Sequence, residues 1–248
     1  MIRSAIVATA LLAMTGTGSA IAAPAVKNVV IVHGAFADGS GWRGVSDILE
    51  KDGFNVSIVQ EPMTSLEDDV AATKRVLDRI DGPVVLVGHS YGGFVITEAG
   101  NDPKVSSLVY VAAGAPAEGE SAFGLLSTMP GKGTGIGPTR DGYLFIDPKV
   151  FHADFAADVP AATADFMARS EMPASVKAFT TPVTNPAWKT KPSFGIVATL
   201  DRTINPDLER SMYKRAGSTI TEITSSHAVF LSHPRQVADV IEQAAASK

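Results

Sequence analysis

The 248-residue sequence has no cysteine, which excludes disulfides, thiolate metal sites, a cysteine nucleophile and a lipid-modified N-terminal cysteine. It has no basic excess either. Lys and Arg number 21 against 26 Asp and Glu, for a formal net charge of -5. Nothing in that balance draws the chain to nucleic acid or to an anionic membrane. Internal repeats, heptad runs and low-complexity tracts are also missing, so solenoids and coiled coils drop out. What remains is 45% hydrophobic and 19% charged, the composition of one globular domain long enough to bury a large core.

The first residues read as an address rather than as fold. Arg3 supplies a short positive start, and residues 5–14 form an apolar run far short of the roughly 20 residues a membrane helix needs. Ala20-Ile21-Ala22 then matches an A-x-A cleavage site. Residues 1–22 are therefore expected to be a secretory signal peptide, with the mature protein beginning near Ala23 in a periplasm or outside the cell. The small residues over 16–23 suit a peptidase better than an uncleaved membrane anchor.

Beyond it, apolar strand-like runs alternate with helical patterns. Strands are expected over 28–33, 54–59, 84–89 and 105–112, separated by helices over 41–53, 65–80 and 91–100, with a cap for the second helix at Thr64 or Ser65 and a stop for the first at Gly53. That alternation predicts a doubly wound, mostly parallel α/β sheet with right-handed crossovers. The pattern breaks over 114–191, which has short helix-like pieces around 161–170 and 174–179 and no strong strand. Its aromatics, among them Phe151, Phe155, Phe166 and Phe179, can bury a core of their own, so it reads as a mainly helical cap inserted into a single domain. The sheet resumes over 193–199, then come a helix from Pro206, a strand over 219–223 and a closing helix from about Pro234.

Val84-Val85-Leu86-Val87-Gly88-His89-Ser90-Tyr91-Gly92-Gly93 runs from an apolar strand through a serine into a helix. Its G-x-S-x-G core permits a turn too tight for side chains at Gly88 or Gly92, and that turn lifts the Ser90 hydroxyl out of the sheet. Standing alone, such a stretch is also compatible with a merely structural serine. A serine nucleophile needs a base and the base needs a carboxylate. Of five histidines, His33 ends a buried strand, His89 leaves its strand on a different face from Ser90, and His152 lies in the cap. His227 follows the last strand, at the sheet edge where functional groups collect, and is favoured over His233 at a helix start. Asp201 directly follows the strand over 193–199 and is favoured over Asp207 and Glu118. The order Ser90, Asp201, His227 is the one this architecture uses. The loop His33-Gly34-Ala35 and the start of the helix at Tyr91 then offer two backbone amides, of Ala35 and Tyr91, as an oxyanion hole.

The stretches VVIVHGAFADGSGW, GPVVLVGHSYGGFVI, IVATLDRTINP and SSHAVFLSHPRQVADVI together resemble the α/β-hydrolase superfamily. They are most similar to its small-cap branch of bacterial esterase-like hydrolases, plant methyl-ester esterases and hydroxynitrile lyases. The resemblance implies an α/β-hydrolase fold, Ser90, Asp201 and His227 as triad, and Ala35 with Tyr91 as oxyanion hole. The lyases carry threonine after the strand-end histidine and lysine after the catalytic one, where this chain has Gly34 and Ala228. Ester hydrolysis through an acyl-enzyme is the expected reaction, on a small-molecule ester and with neither cofactor nor metal implied. Perhydrolysis or C–C hydrolysis by the same triad, and non-catalytic binding of a small hydrophobic ligand, are the alternatives.

Overall fold

The computed structural model describes Met1 and residues 26–247, so the expected signal segment lies, Met1 apart, outside the described residues. Strand β1 (Asn28–Val32) is followed by a 3-10 turn at Gly39–Trp42 and helix α1 (Arg43–Lys51). The expected single helix over 41–53 is thus split, because the Asp38 side chain caps the Ser40 amide and starts a tighter turn first. Gly53, at φ +85°, ends α1 as expected.

Strand β2 (Asn55–Val59) leads to α2 (Leu66–Leu77), whose cap is Ser65, accepting from the Asp68 amide. Next come β3 (Val84–His89), α3 (Gly92–Ala99) and β4 (Val105–Val111). After the cap the chain returns as β8 (Ser193–Ala198), α8 (Pro206–Arg215), β9 (Thr219–Ile223), a short α9 (Val229–Ser232) and α10 (Pro234–Ala246). Prolines open α8 and α10, where the missing N–H costs nothing.

The six strands form one sheet in the order β2-β1-β3-β4-β8-β9, parallel at every pairing. Helices cover both faces, so β3 and β8 are buried along their whole length, which is why they read as unbroken apolar runs. The order reverses between β1 and β3, and parallel strands send all their C-terminal ends to one edge. The turns carrying Ala35, Ser90, Asp201 and His227 therefore gather there.

The segment between β4 and β8 holds α4 (Ala122–Thr128), β5 (Ile136–Pro138), β6 (Tyr143–Ile146), α5 (Pro148–Phe155), α6 (Ala161–Ser170), β7 (Ala174–Ser175) and α7 (Val176–Thr180). Helices dominate it, but β5, β6 and β7 pair antiparallel into a small sheet that the sequence did not lead us to expect. These strands are two to four residues long, too short for period-two alternation to register. Among the described residues no helix is long and apolar enough to cross a membrane.

Candidate active site

Ser90 sits at φ +52°, a left-handed backbone that a side-chain-bearing residue adopts only where its surroundings force it. The surroundings are backbone. A Cβ on Gly88 would lie 2.6 Å from the Gly92 carbonyl oxygen, and one on Gly92 would lie 2.5 Å from that of His33. The turn from β3 into α3 is thus wedged against the end of β1, and only glycine on either side of the serine permits it. Helix α3 begins at Gly92, with Tyr91 as its N-cap and no side chain closing that end. Among the described residues neither the Ala35 nor the Tyr91 amide donates a hydrogen bond.

Gly34 is constrained by the same turn. A Cβ there would stand 2.7 Å from both Ser90 Cβ and His89 Nδ1, so the position that carries threonine in the lyase pattern has no room for a side chain in this chain. Its neighbour His33 donates from Nδ1 to the Gly34 carbonyl at 2.9 Å and accepts at Nε2 from the Glu61 amide at 3.1 Å. Burial lowers its pKa, and the neutral ring fixes the loop in place. The cap holds the loop from the other side, where the Phe36 amide donates to Met172 O at 3.1 Å.

On the far side of the edge, His227 Nδ1 lies 2.5 Å from Asp201 Oδ2, both side chains fully buried. The other oxygen of Asp201 accepts from the amides of Thr203 at 2.7 Å and Ile204 at 3.0 Å, which locks the carboxylate in the turn after β8. His227 Nε2 is buried without a hydrogen-bond partner. Ser90 itself is 8% exposed.

The competing candidates fall elsewhere. His233 faces Asp158 at 3.8 Å, Asp207 pairs with Arg210, Glu118 pairs with Lys189, and His152 contacts the Val159 carbonyl within the cap. His89, which leaves its strand on a different face from Ser90, supports His227. Its Nε2 is 3.1 Å from the His227 carbonyl oxygen and its ring lies 4.7 Å from the His227 ring. Burial drives its pKa well below the ordinary value, so the ring is neutral and donates from Nε2. The adjacency of His89 to Ser90 was the only available signal.

The cap supplies the roof. Phe155 of α5 meets the His227 ring edge-on at 4.8 Å, and its carbonyl accepts from the Ala228 amide at 3.0 Å. Asp158 accepts from Ser225 Oγ at 2.8 Å, from the Ser226 amide at 3.2 Å and from Ser226 Oγ. Asp154 accepts from Arg202 Nε at 2.9 Å. One stretch of cap thus holds the turn with Asp201 and the loop with His227. Beside the loop after β1, a cavity of about 220 Å³ is walled by Phe36, Phe166, Met167, Phe230 and Leu231, with Glu171 as a polar member. Burial pushes the Glu171 carboxyl up to about 7. Among the described residues no three His, Asp or Glu side chains are grouped to hold a metal ion.

Comparisons with known proteins bear on the fold and the family. The chain is 38% identical over 115 residues to the carbendazim hydrolyzing esterase of Nocardioides sp. (strain SG-4G), a stretch covering 41% of this chain and 48% of that esterase, so this chain matches about half the relative's length. The pyrethroid hydrolase of Sphingobium faniae JZ-2 superposes with a TM-score of 0.76 at 22% identity, over 89% of this chain and 97% of that one. The methylesterase MES16 of Arabidopsis superposes with a TM-score of 0.73, also at 22% identity, over 88% and 98%. At that identity the two structures speak for the fold. The model of the alpha/beta hydrolase family matches residues 29–240, nearly the whole described chain. This protein belongs to the alpha/beta hydrolase family.

Proposed function

We propose that the protein is a serine esterase cleaving a carboxylic ester through an acyl-enzyme. The observation that carries this reading is the buried 2.5 Å contact between Asp201 and His227, with the outward nitrogen of the imidazole left unpartnered on the sheet edge that also carries Ser90. Ser90 Oγ attacks the ester carbonyl as His227 Nε2 takes its proton, and Asp201 holds Nδ1–H and stabilises the imidazolium. The amides of Ala35 and Tyr91, which have no other acceptor among the described residues, receive the developing oxyanion. The imidazolium then protonates the leaving alkoxide, and a water activated by the same nitrogen frees the acid.

The esterase relative favours hydrolysis, and so does Ala228, which puts no cation beside His227 for a departing cyanide. The aromatic and Met walls of the cavity suit an apolar acyl or alcohol group. The sequence of residues 1–22 supports export with cleavage before Ala23. Turnover of short p-nitrophenyl esters by the mature protein and by Ser90→Ala tests the reaction. The variant removes one hydroxyl from a turn set by glycines, so a folded variant should be inactive. A folded Ser90→Ala that keeps the parent rate means another nucleophile.

A further inference from the structure

Behind Asp201 lies a second acid that neither the motif nor the resemblance assigns. Glu209, on α8, is wholly buried. Its Oε2 accepts from the amide of Ala198, the last residue of β8, at 3.2 Å, while Oε1 has no partner among protein donors in the described structure. Ala198 also ties it to Asp201, whose amide donates to the Ala198 carbonyl at 3.1 Å, so the two buried carboxyl groups share the turn after β8. Two carboxylates this close inside a core resist being charged together. Asp201 has three donors, the amides of Thr203 and Ile204 and the imidazole of His227. Glu209 has one, so the charge belongs on Asp201 and the proton on Glu209.

The other charged and titratable groups around Glu209 do not change that assignment. On its own helix, the Tyr213 hydroxyl is engaged by the backbone of Ala113, and Arg210 turns outward to Asp207 and to Glu222 of β9. On β4, the Tyr110 hydroxyl is paired with Thr97. Strand β8 carries no titratable side chain, and His227 stands on the far side of Asp201. Burial first, then the Asp201 charge, push the Glu209 carboxyl well above the ordinary carboxylate range.

From this arrangement we infer that Glu209 is a positioning residue: its Oε1–H donates to the Asp201 carboxylate, fixing that side chain from behind and spreading its charge. Asp201 then orients His227 without drawing its proton away. The inference rests on the serine-esterase reading, but its test can be kept separate.

The experiment follows the His227 ring by NMR in protein labelled with ¹⁵N-histidine, together with the pH–rate profile on an aryl ester, in wild type, Glu209→Gln and Glu209→Leu. Gln puts a neutral N–H donor where Oε1–H stood, so its His227 titration and acid limb coincide with wild type. Leu removes the donor and concentrates the charge on Asp201, which favours the imidazolium. Titration and acid limb then move to higher pH, and kcat falls about tenfold or more with KM little changed. If Glu209→Leu does not fold, Glu209→Met, unbranched and of similar length, replaces it.

A shift to lower pH in Glu209→Gln means that Glu209 was ionised and overturns the inference. Lowered thermal stability in the apolar variant, with titration and kcat unmoved, reduces Glu209 to packing and overturns it equally. The titration needs no turnover, so an active Ser90→Ala would sink the esterase reading while leaving this comparison decisive.

Discussion

Replacing Asp201 by asparagine exchanges one oxygen for an NH2 group, and the backbone decides which way the new amide must face. The amides of Thr203 and Ile204, at 2.7 and 3.0 Å, both point at Oδ1 and accept nothing but an oxygen there. With the asparagine carbonyl oxygen held by those two donors, its NH2 is turned toward His227 Nδ1, at the position now 2.5 Å away. An NH2 can only donate, so Nδ1 must become an acceptor and the ring proton must move to Nε2. That is the atom that has to take the Ser90 proton, and in the wrong tautomer it cannot. The alternative flip sets an NH2 against two backbone donors in a fully buried place, where each clash costs on the order of 1–3 kcal/mol. Asp201→Asn should therefore fold and bind ester with KM near wild type, while kcat falls by about 10⁴-fold, the loss this tautomer change produces in serine hydrolases. Steady-state hydrolysis of a p-nitrophenyl ester measures both constants. A folded Asp201→Asn within about tenfold of wild-type kcat would refute the role given to the Asp201–His227 contact.

Three further outcomes follow from other parts of the structure. His227→Ala should lose on the order of 10⁴-fold or more in kcat, whereas His233→Ala, whose ring faces Asp158 rather than Asp201, should lose little; equal losses in ester assays would contradict the assignment of the base. Gly34→Ala forces a methyl to within 2.7 Å of Ser90 Cβ, and the displaced loop should lower kcat/KM by about 10²-fold in a protein whose circular dichroism is unchanged. Glu61 is buried with both carboxyl oxygens unpartnered, and burial, followed by the charge on Asp69, raises its pKa well above the ordinary 4.5. The folded state keeps a proton that the unfolded chain releases, so its contribution is full below about 4.5 and is lost as pH rises toward the folded value. Glu61→Gln has no such loss, and its Tm advantage should widen between pH 5 and pH 8, by about 2–4 °C per kcal/mol gained; a constant difference in thermal melts would contradict the buried-acid account.

How far the sequence could be read depended on the range of the interaction. The alternation of β1 to β4 with helices, the elbow at Ser90 and the prolines opening α8 and α10 are local matters of period, turn and cap, and they were legible. The placement of Asp201 and His227 at one edge was legible because each lies in the turn that follows a strand, three residues after β8 and four after β9, and parallel strands put such turns on one edge. The side of the sheet on which β2 lies, and the packing of β4 between β3 and β8, carry no local signal. The support of His227 by His89 joins residues 138 apart in sequence, and the burial of Glu61 and Glu209 depends on what packs over them. The cap sheet was missed because its strands exist only through their partners, as Leu144 opposite Pro138 and Ala174 illustrates.

The central claim is that Ser90 is a nucleophile activated by His227, and covalent trapping tests it most directly. The mature protein is incubated with an aryl phosphonate directed at activated serines, and the intact mass and the modified peptide are read by mass spectrometry. The account predicts one adduct per chain, on the peptide containing Ser90, absent in Ser90→Ala and formed far more slowly in His227→Ala. An unmodified Ser90 in folded wild-type protein, or an adduct that persists in Ser90→Ala, would contradict it.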